Sequence, residues 1–456
     1  MREIIKTILI SISCFFLTAK TALTPDIHPQ NLILCFSRVA TFYPKVETRL
    51  SSAGLSSLWL QRGVGRRRPI GVTDVTVDQN LSSRINLMRI LLISGIVFVH
   101  VPHDAETSPF LGLYGFFDWL RVFLGDALFR IGVPCLSAIS GYLLFRRGMS
   151  GFDYPATIRS KSKTVLLPFL LWNGALFAAV LLIQLFDVGV GYFPDLWNAS
   201  PREIISHGTA LEELPVNVPL YFLRDLFVCI LLSPVLAFLM RRFALPTLAL
   251  LLFITAMPDL TIFIVQKKSI LFSFSLGIAL ALHRVDVKAL DPYAVPIMAL
   301  TFAASAILAT GLYFTGPEFT FWLNMSRNLL AVFGALGFWV SSAILIRSRL
   351  GQRLAETGSL SFWIFCAHYP LLVIMWMVWN KGGPDFYPAF YISATLSAFV
   401  ILVISNAQTR KYLPAVYAVL TGSRSGKGKT KADFAAKRAA MIGPPTSETL
   451  YSQRQR

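Results

Sequence analysis

Long apolar runs, each close to the length of a membrane-spanning helix, constrain this chain more than any other feature. A helix needs about 20 apolar residues to cross the hydrocarbon core of a bilayer, and the alternating pattern of a membrane β-barrel is absent. The runs therefore predict an all-α fold: a polytopic integral membrane helical bundle of about ten transmembrane helices. They lie at about 87–103, 128–146, 164–186, 218–240, 245–264, 269–283, 293–315, 325–346, 359–379 and 386–407.

The composition agrees with a membrane protein. The chain has 456 residues, of which 55% are hydrophobic and 14% are charged. Soluble domains average roughly 45–50% apolar and about 25% charged residues, so a soluble globular enzyme, a disordered chain and a small disulfide scaffold are excluded. The five cysteines form no CxxC pair and no Cys/His cluster with metal-ligand spacing. This predicts no structural disulfide and no metal site.

The net charge of +18 is concentrated at the two ends of the chain. Basic ends that flank an apolar body are typical of the cytoplasmic excess of Lys and Arg in membrane proteins, and they argue against nucleic acid as a partner. Basic loops alternate with acidic or neutral ones; the basic loops lie at 62–68, 146–163, 241–242 and 347–353, and the clearest acidic loop at 187–217. The alternation predicts that both termini are cytoplasmic, although a short turn with Lys267 and Lys268 points the other way.

Three regions follow from these patterns. Residues 1–80 are an N-terminal extension of uncertain status, because a signal-like start at 1–22 conflicts with the arginines at 62–68; a non-cleaved extension and a misassigned start codon are the alternatives. Residues 81–410 form the membrane domain. Residues 411–456 are basic and predict a disordered cytoplasmic tail.

The sharpest candidate for chemistry is the first apolar run, which carries Arg89 and, eleven positions later, His100. Eleven helical steps separate the two residues by about 16 Å. Arg89 then reaches the cytoplasmic headgroups, while His100 lies between the membrane centre and the outer face. An imidazole there is suited to general-base catalysis. The alternative is a histidine that only hydrogen-bonds a neighbouring helix.

Further ionisable residues lie in or beside other apolar runs, where they are functional candidates by default. Arg130 precedes a stretch of small residues that allows close helix contact, and it requires an anionic partner or an aqueous cavity. Arg224 and Asp225 are either a mutually neutralising pair or part of a site. His368 is a second histidine within an apolar run, with packing as the alternative role.

A third group of cations marks the cytoplasmic mouth of a predicted span. Arg159, Lys161 and Lys163 precede the run at 164–186. They indicate either ordinary inside-positive topology or a phosphate-binding mouth, since Arg and Lys pair with phosphate oxygens.

Taken in order, these motifs resemble the membrane acyltransferase family 3, the O-acyltransferases that decorate bacterial surface polysaccharides. The likeness covers about 84–408, and the stretches 84–102 and 127–142 are particularly similar to members that succinylate an exopolysaccharide. The resemblance implies a catalytic His100 paired with Arg89, and donor binding at the basic run that contains Arg159, Lys161 and Lys163. Arg130, Arg224, Asp225 and His368 are then candidates for binding substrate or stabilising an oxyanion.

The function implied is transfer of an acyl group, with succinyl favoured over acetyl, from acyl-CoA to a sugar hydroxyl of an exopolysaccharide or its lipid-linked repeat unit. No tightly bound cofactor is expected. The expected partners are the lipid bilayer of the bacterial inner membrane, the glycan acceptor and other polysaccharide-biosynthesis membrane proteins. A polysaccharide transporter or flippase and a non-catalytic scaffold of an export complex are the rival functions.

Overall fold

A computed structural model of the chain describes residues 72–422, with side chains described from residue 79. The predictions for the extension before residue 72 and for the tail after residue 422 lie outside the described residues. Within 72–422 the chain is helical, and its β pairing is limited to one isolated bridge between Val190 and Phe193. The α-helices are α1 (Val72–Val99), α2 (Phe116–Val122), α3 (Gly132–Phe145), α4 (Tyr154–Lys161), α5 (Leu167–Gln184), α6 (Pro201–Thr209), α7 (Tyr221–Leu231), α8 (Ser233–Arg242), α9 (Ala244–Ala256), α10 (Lys268–Leu282), α11 (Ala294–Thr315), α12 (Phe321–Leu345), α13 (Arg349–Glu356), α14 (Leu360–Gly382), α15 (Tyr387–Tyr412) and α16 (Pro414–Leu420).

Seven helical segments in this part of the chain are long and apolar enough to cross a membrane. They are Gln79–Val99, Phe116–Phe145, Tyr154–Gln184, Asp291–Thr315, Phe321–Leu345, Leu360–Gly382 and Tyr387–Tyr412. Each of them overlaps one of the predicted apolar runs. The all-α, multi-pass membrane architecture is thus confirmed.

The remaining three predicted runs form shorter or bent helices. The run at 218–240 becomes the pair Val218–Leu231 and Ser233–Arg242, which are inclined at 63° to one another. The helix predicted over 245–264 ends at Ala256, because Pro258 disfavours helical backbone in the residue before it. Helix α10 has 15 residues, which extend only about 22 Å against a core of about 30 Å.

Helix α10 nevertheless lies inside the bundle, where ten of its 15 residues are buried and the others are partly buried. It packs against α3 through backbone rather than side chains. A Cβ added to Gly141 would stand 2.1 Å from the carbonyl oxygen of Phe274, and one added to Gly277 would stand 2.1 Å from that of Ala138. The small residues of the 127–142 stretch permit this close approach, as the sequence predicts.

Two of the spans contain a π-helical turn just before a proline. Residues Phe123–Leu128 form a π turn and Phe129–Ile131 a 3₁₀ turn ahead of Pro134. Residues Ser162–Leu166 form the other π turn, ahead of Pro168. Proline lacks the N–H that a regular helix would use, and π turns of this kind occur frequently at functional sites.

The C-terminal part of the described chain returns to the bundle. Helix α16 lies within the stretch predicted as a tail, but it packs on the membrane domain. The Trp172 indole N–H donates to the carbonyl oxygen of Leu420 at 3.1 Å, and the ring of Tyr417 stacks on Trp363 with centroids 5.7 Å apart. The ordered domain therefore extends beyond residue 410.

Candidate active site

Two histidines from distant parts of the sequence meet at the end of α1. His100 follows the last residue of α1 and is partly buried, whereas His368 lies in α14 and is fully buried. Nε2 of His368 is 3.4 Å from Nδ1 of His100, and the ring centroids are 5.3 Å apart. The structure thus joins two residues that the sequence offered as separate candidates.

Backbone carbonyls fix the tautomers of this pair. His100 Nδ1 is 3.0 Å from the carbonyl oxygen of Ile96, and His368 Nδ1 is 2.9 Å from those of Ile364 and Phe365. Carbonyls only accept, so each neutral ring carries its proton on Nδ1. Nε2 of His368 then faces the Nδ1–H of His100, and Nε2 of His100 keeps a lone pair. That nitrogen is suited to accept a proton from a substrate hydroxyl.

Pro370 explains how α14 holds His368 in place. A proline inside a helix leaves the carbonyl four residues earlier without its usual donor, and here that carbonyl belongs to Cys366. The side-chain amide of Asn217 donates to the carbonyl oxygen of Cys366 at 3.0 Å. Asn217 is itself completely buried. Segment 217–220, which leads into α7, therefore supports the helix turn that carries His368.

Arg89 does not contact the histidines. It lies eleven residues before His100, about 16 Å along the axis of α1, and it is exposed. Arg89 lines a cavity of about 380 Å³ together with Lys161 and Asp153. The two cations lie within electrostatic range of each other. The structure therefore places Arg89 with Lys161 of the basic run, ten residues before the end of α1 and away from His100.

The other two cations of the basic run stand apart from this cavity. Arg159 and Lys163 are exposed, and neither of them lines it. A second cavity, of about 700 Å³, adjoins the last turn of the same helix α3. It is lined by Arg146, Arg147 and Arg241, which the sequence analysis used only as topology signals, and by Arg284. Cationic side chains thus surround this end of the bundle.

Arg130 finds its anionic partner in Asp126, which the sequence analysis missed. Arg130 Nη2 donates to Asp126 Oδ1 at 2.7 Å, and Arg327 Nη2 donates to the same oxygen at 3.1 Å. The π turn that carries Asp126 lies directly against the end of α1: a Cβ on Gly125 would be 3.6 Å from the carbonyl oxygen of Phe98. Arg130 accordingly lies within electrostatic range of His100.

Arg224 and Asp225 form an ion pair that hydrogen-bonds to the loop preceding α10. Asp225 Oδ1 accepts from Arg224 Nη1 at 2.9 Å and from the Gln266 amide at 3.0 Å, while its Oδ2 accepts from the Lys267 amide at 2.8 Å. Arg224 also donates to the carbonyl oxygen of Ile264 at 2.6 Å. These contacts favour the interpretation of Arg224 and Asp225 as a mutually neutralising structural pair. Lys267, which the pair holds through its amide, lies within electrostatic range of Arg130 and Arg327.

Asp126, Arg327 and Lys267 are the residues that sequence reasoning missed. Arg327 lies inside the apolar run at 325–346, so the rule that treats intramembrane charges as functional candidates was sufficient to find it. Within residues 72–422 no three His, Cys, Asp or Glu side chains are grouped to hold a metal ion, and the three described cysteines are buried free thiols.

Comparison with known proteins assigns the class. The acyltransferase domain family matches residues 82–405, which is well over half of the chain, so the chain belongs to this family. The protein is therefore a multi-pass, membrane-bound O-acyltransferase, and the resemblance drawn from the ordered motifs is confirmed.

A relative of known name is similar over most of the chain. The chain is 54% identical over 380 residues to the succinoglycan biosynthesis protein ExoH of Rhizobium meliloti (strain 1021). The match covers 83% of this chain and 100% of that protein. No solved structure matches the chain.

Proposed function

We propose that this protein transfers a succinyl group from succinyl-CoA to a sugar hydroxyl of a succinoglycan-like exopolysaccharide, or of its lipid-linked repeat unit, in the bacterial inner membrane. The observation that carries the proposal is the histidine pair, in which Nε2 of His100 is left with a lone pair beside a cationic cluster. The name of the 54% identical relative supports the polysaccharide acceptor.

The reaction follows from the geometry of the pair. Nε2 of His100 takes the proton of the acceptor hydroxyl as that oxygen attacks the thioester carbonyl. The new C–O bond forms, the C–S bond breaks, and the resulting imidazolium returns its proton to the leaving thiolate. General-base catalysis of this type contributes about 10²–10⁴-fold to the rate.

His368 and Arg130 assist this reaction in different ways. Nε2 of His368 faces the Nδ1–H of His100 and holds the imidazole in the tautomer that acts as a base. Arg130 has a side chain that is 38% exposed, so it is available to stabilise the negative charge that develops on the thioester oxygen. Arg224 is less suited to that role, because both the Ile264 carbonyl and Asp225 engage it.

The donor enters from the opposite end of the bundle in this proposal. Coenzyme A is an anion with several phosphates, and the cations around the two cavities beside α3 match that charge. Lys161 and Arg89 line the smaller cavity, and Arg159 and Lys163 are exposed on either side of Lys161 in the sequence. In the proposed topology this end of the bundle is cytoplasmic, and both termini are inside. The chain crosses the membrane ten times. The bent pair α7 and α8 supplies one crossing beyond the seven long segments, and α9 and α10 supply one each.

NMR of polysaccharide from cells that carry wild-type or His100→Ala protein tests the proposal. We expect polymer of normal yield and length that lacks its succinyl substituents in the variant. His207→Ala, which alters a histidine of the loop helix α6, is the matched control and retains succinylation.

Three outcomes would contradict or change the proposed function. An acetyl substituent that depends on His100 would replace succinyl by the runner-up acyl group. Absent or shortened polymer in a deletion strain would favour a transporter or flippase. Full acylation in a stably inserted His100→Ala protein would contradict the catalytic role and favour a scaffold.

A further inference from the structure

A cluster of charged side chains lies beside the histidine pair, and we call Asp126, Arg130, Arg327 and Lys267 the Asp126 cluster. Asp126 comes from the π turn and Arg130 from the 3₁₀ turn ahead of α3, Arg327 from α12, and Lys267 is the residue before α10. Gly125 and Phe129 bring the turn against α1, since the ring of Phe129 stacks on Phe98 with centroids 5.7 Å apart. The cluster therefore adjoins the reacting end of α1.

The charges in this cluster do not balance. Arg130, Arg327 and Lys267 are cationic, and Asp126 is the one carboxylate that pairs with the two guanidinium groups among the described residues. Both arginines use the same oxygen, Oδ1. The neighbouring carboxylate, Asp225, is occupied by Arg224 and by two backbone amides. The cluster thus retains an excess of positive charge within a membrane domain, where such an excess is costly.

The cationic groups are also accessible. The side chains of Arg130 and Arg327 are 38% and 20% exposed, and Lys267 is exposed. The Lys267 ammonium lies 5.9 Å from the centre of the Tyr221 ring, and Arg130 lies within electrostatic range of the same tyrosine. A guanidinium offers a planar pair of N–H groups that matches a carboxylate.

We propose that Arg327 and Lys267, which lie within electrostatic range of each other and of Arg130, bind a carboxylate of a substrate while the acyl group is transferred at His100. The inference rests on the proposed function and deepens it. Two sources of the carboxylate are compatible with this position: the free end of a dicarboxylic acyl group, and an acidic sugar of the acceptor. In either case the cluster selects a substrate that supplies the missing negative charge.

The test uses the full-length protein in lipid nanodiscs with matched substrates. Succinyl-CoA is compared with butyryl-CoA, in which a methyl group replaces the carboxylate, and an acidic oligosaccharide is compared with its carboxyl-reduced form. Wild-type protein is compared with Arg327→Gln and Arg327→Lys. Arg202→Gln removes a cation from the exposed loop helix α6 and serves as the control for net charge.

If the carboxylate belongs to the donor, the kcat/KM ratio of succinyl-CoA to butyryl-CoA falls at least about tenfold in Arg327→Gln, the loss expected for one charge-assisted hydrogen bond. Arg327→Lys recovers part of the ratio, and Arg202→Gln leaves it at the wild-type value. If the carboxylate belongs to the acceptor, the ratio of acidic to reduced acceptor falls instead. Both results support carboxylate binding and identify its source.

Equal losses with all four substrates would overturn the carboxylate site and leave the proposed function intact. Wild-type protein that transfers neither acyl group would overturn the proposed function and this inference with it. If Arg327→Gln is not recovered as folded protein, the two kcat/KM ratios are measured on Lys267→Gln instead, because that position is exposed. Unchanged ratios there would also count against the site.

Discussion

Arg84 and Arg327 are both arginines of the helical domain that pair with an aspartate, yet their surroundings differ. Arg84 is 1% exposed and forms a bidentate pair with Asp291, at 2.7 and 3.0 Å. Its Nε donates to Ser342 Oγ at 2.8 Å, and its guanidinium lies 4.6 Å from the centre of the Trp339 ring. Arg327 shares one oxygen of Asp126 with Arg130.

We call the pair of Arg84 and Asp291 closed, because its charges and hydrogen bonds are satisfied within the protein, and the Asp126 cluster open, because its cations exceed its carboxylates. At Arg84 one cation meets one carboxylate, each guanidinium nitrogen donates a hydrogen bond, and no charge is left for a ligand. In the Asp126 cluster two guanidinium groups share one carboxylate, Lys267 lies within electrostatic range of both, and all three cations are accessible. A buried charge pair is weak evidence of function by itself, so charge balance and accessibility are what distinguish a binding site from a structural pair.

The largest effect is expected when the closed pair is broken. Asp291→Ala leaves the Arg84 guanidinium buried without its counter-charge, and removing one partner of such a pair costs about 3–5 kcal/mol. We expect a strong loss of protein from the membrane fraction and a lowered unfolding temperature in detergent. Immunoblotting and thermal unfolding measure these two quantities. A variant as abundant and as stable as the wild type would contradict the structural role of this pair.

The same substitution in the open cluster is expected to affect activity more than stability. Asp126→Ala removes the acceptor that orients Arg130 and Arg327, but water reaches both guanidinium groups, so the folded protein loses little. An arginine that is no longer oriented loses its charge-assisted hydrogen bond to the substrate, which is worth about 1.5–3 kcal/mol. We expect a roughly 10–100-fold loss of acyl transfer with a nearly normal amount of protein in the membrane.

The matched pair of alanine variants makes the comparison decisive. Quantitative NMR of the polysaccharide gives the acyl content, and the unfolding temperature gives the stability of each variant. If Asp126→Ala lowers the unfolding temperature as much as Asp291→Ala does, the Asp126 cluster is a structural feature and its cationic excess has no role in binding.

Much of the helical architecture was predictable because hydrophobicity is a local property. The runs at 359–379 and 386–407 became Leu360–Gly382 and Tyr387–Tyr412, within a few residues at each end. The 63° bend between α7 and α8 was missed because the apolar residues continue through it, although Pro234 in the first turn of α8 carries a signal for it. The early end of α9 was also missed, although Pro258 carries a signal for it.

The site was only partly predictable, because its residues meet through packing. His100 and His368 are separated by 268 positions, and nothing in either segment specifies that α1 and α14 are neighbours. Arg89 and His100 were grouped because they share one helix, and that helix holds them about 16 Å apart. Lys267 contradicted the topology rule in the sequence, and in the structure it lies within electrostatic range of Arg130 and Arg327.

The smallest effect is expected at a third pair, which lies in the loop between α5 and α7. Arg202 donates two hydrogen bonds of 2.7 Å to Glu212, a geometry as good as that of Arg84 and Asp291. Both side chains are largely exposed, however, at 79% and 56%. Water screens such a pair and replaces its hydrogen bonds, so exposed ion pairs contribute little to stability.

The pKa of Glu212 determines in which direction any stability contributed by this pair changes with pH. The hydrogen bond from Arg202 lowers the pKa of Glu212. Any stability from the pair is therefore present above the ordinary pKa of a glutamate and is lost as the pH falls through the lowered value. We expect the wild-type protein, Arg202→Gln and Glu212→Gln to have the same unfolding temperature as one another at neutral pH, and again at acidic pH. A difference that appears at neutral pH and vanishes in acid would show that good geometry stabilises a pair even in water, and the contrast between Arg84 and Arg327 would then need an explanation other than enclosure.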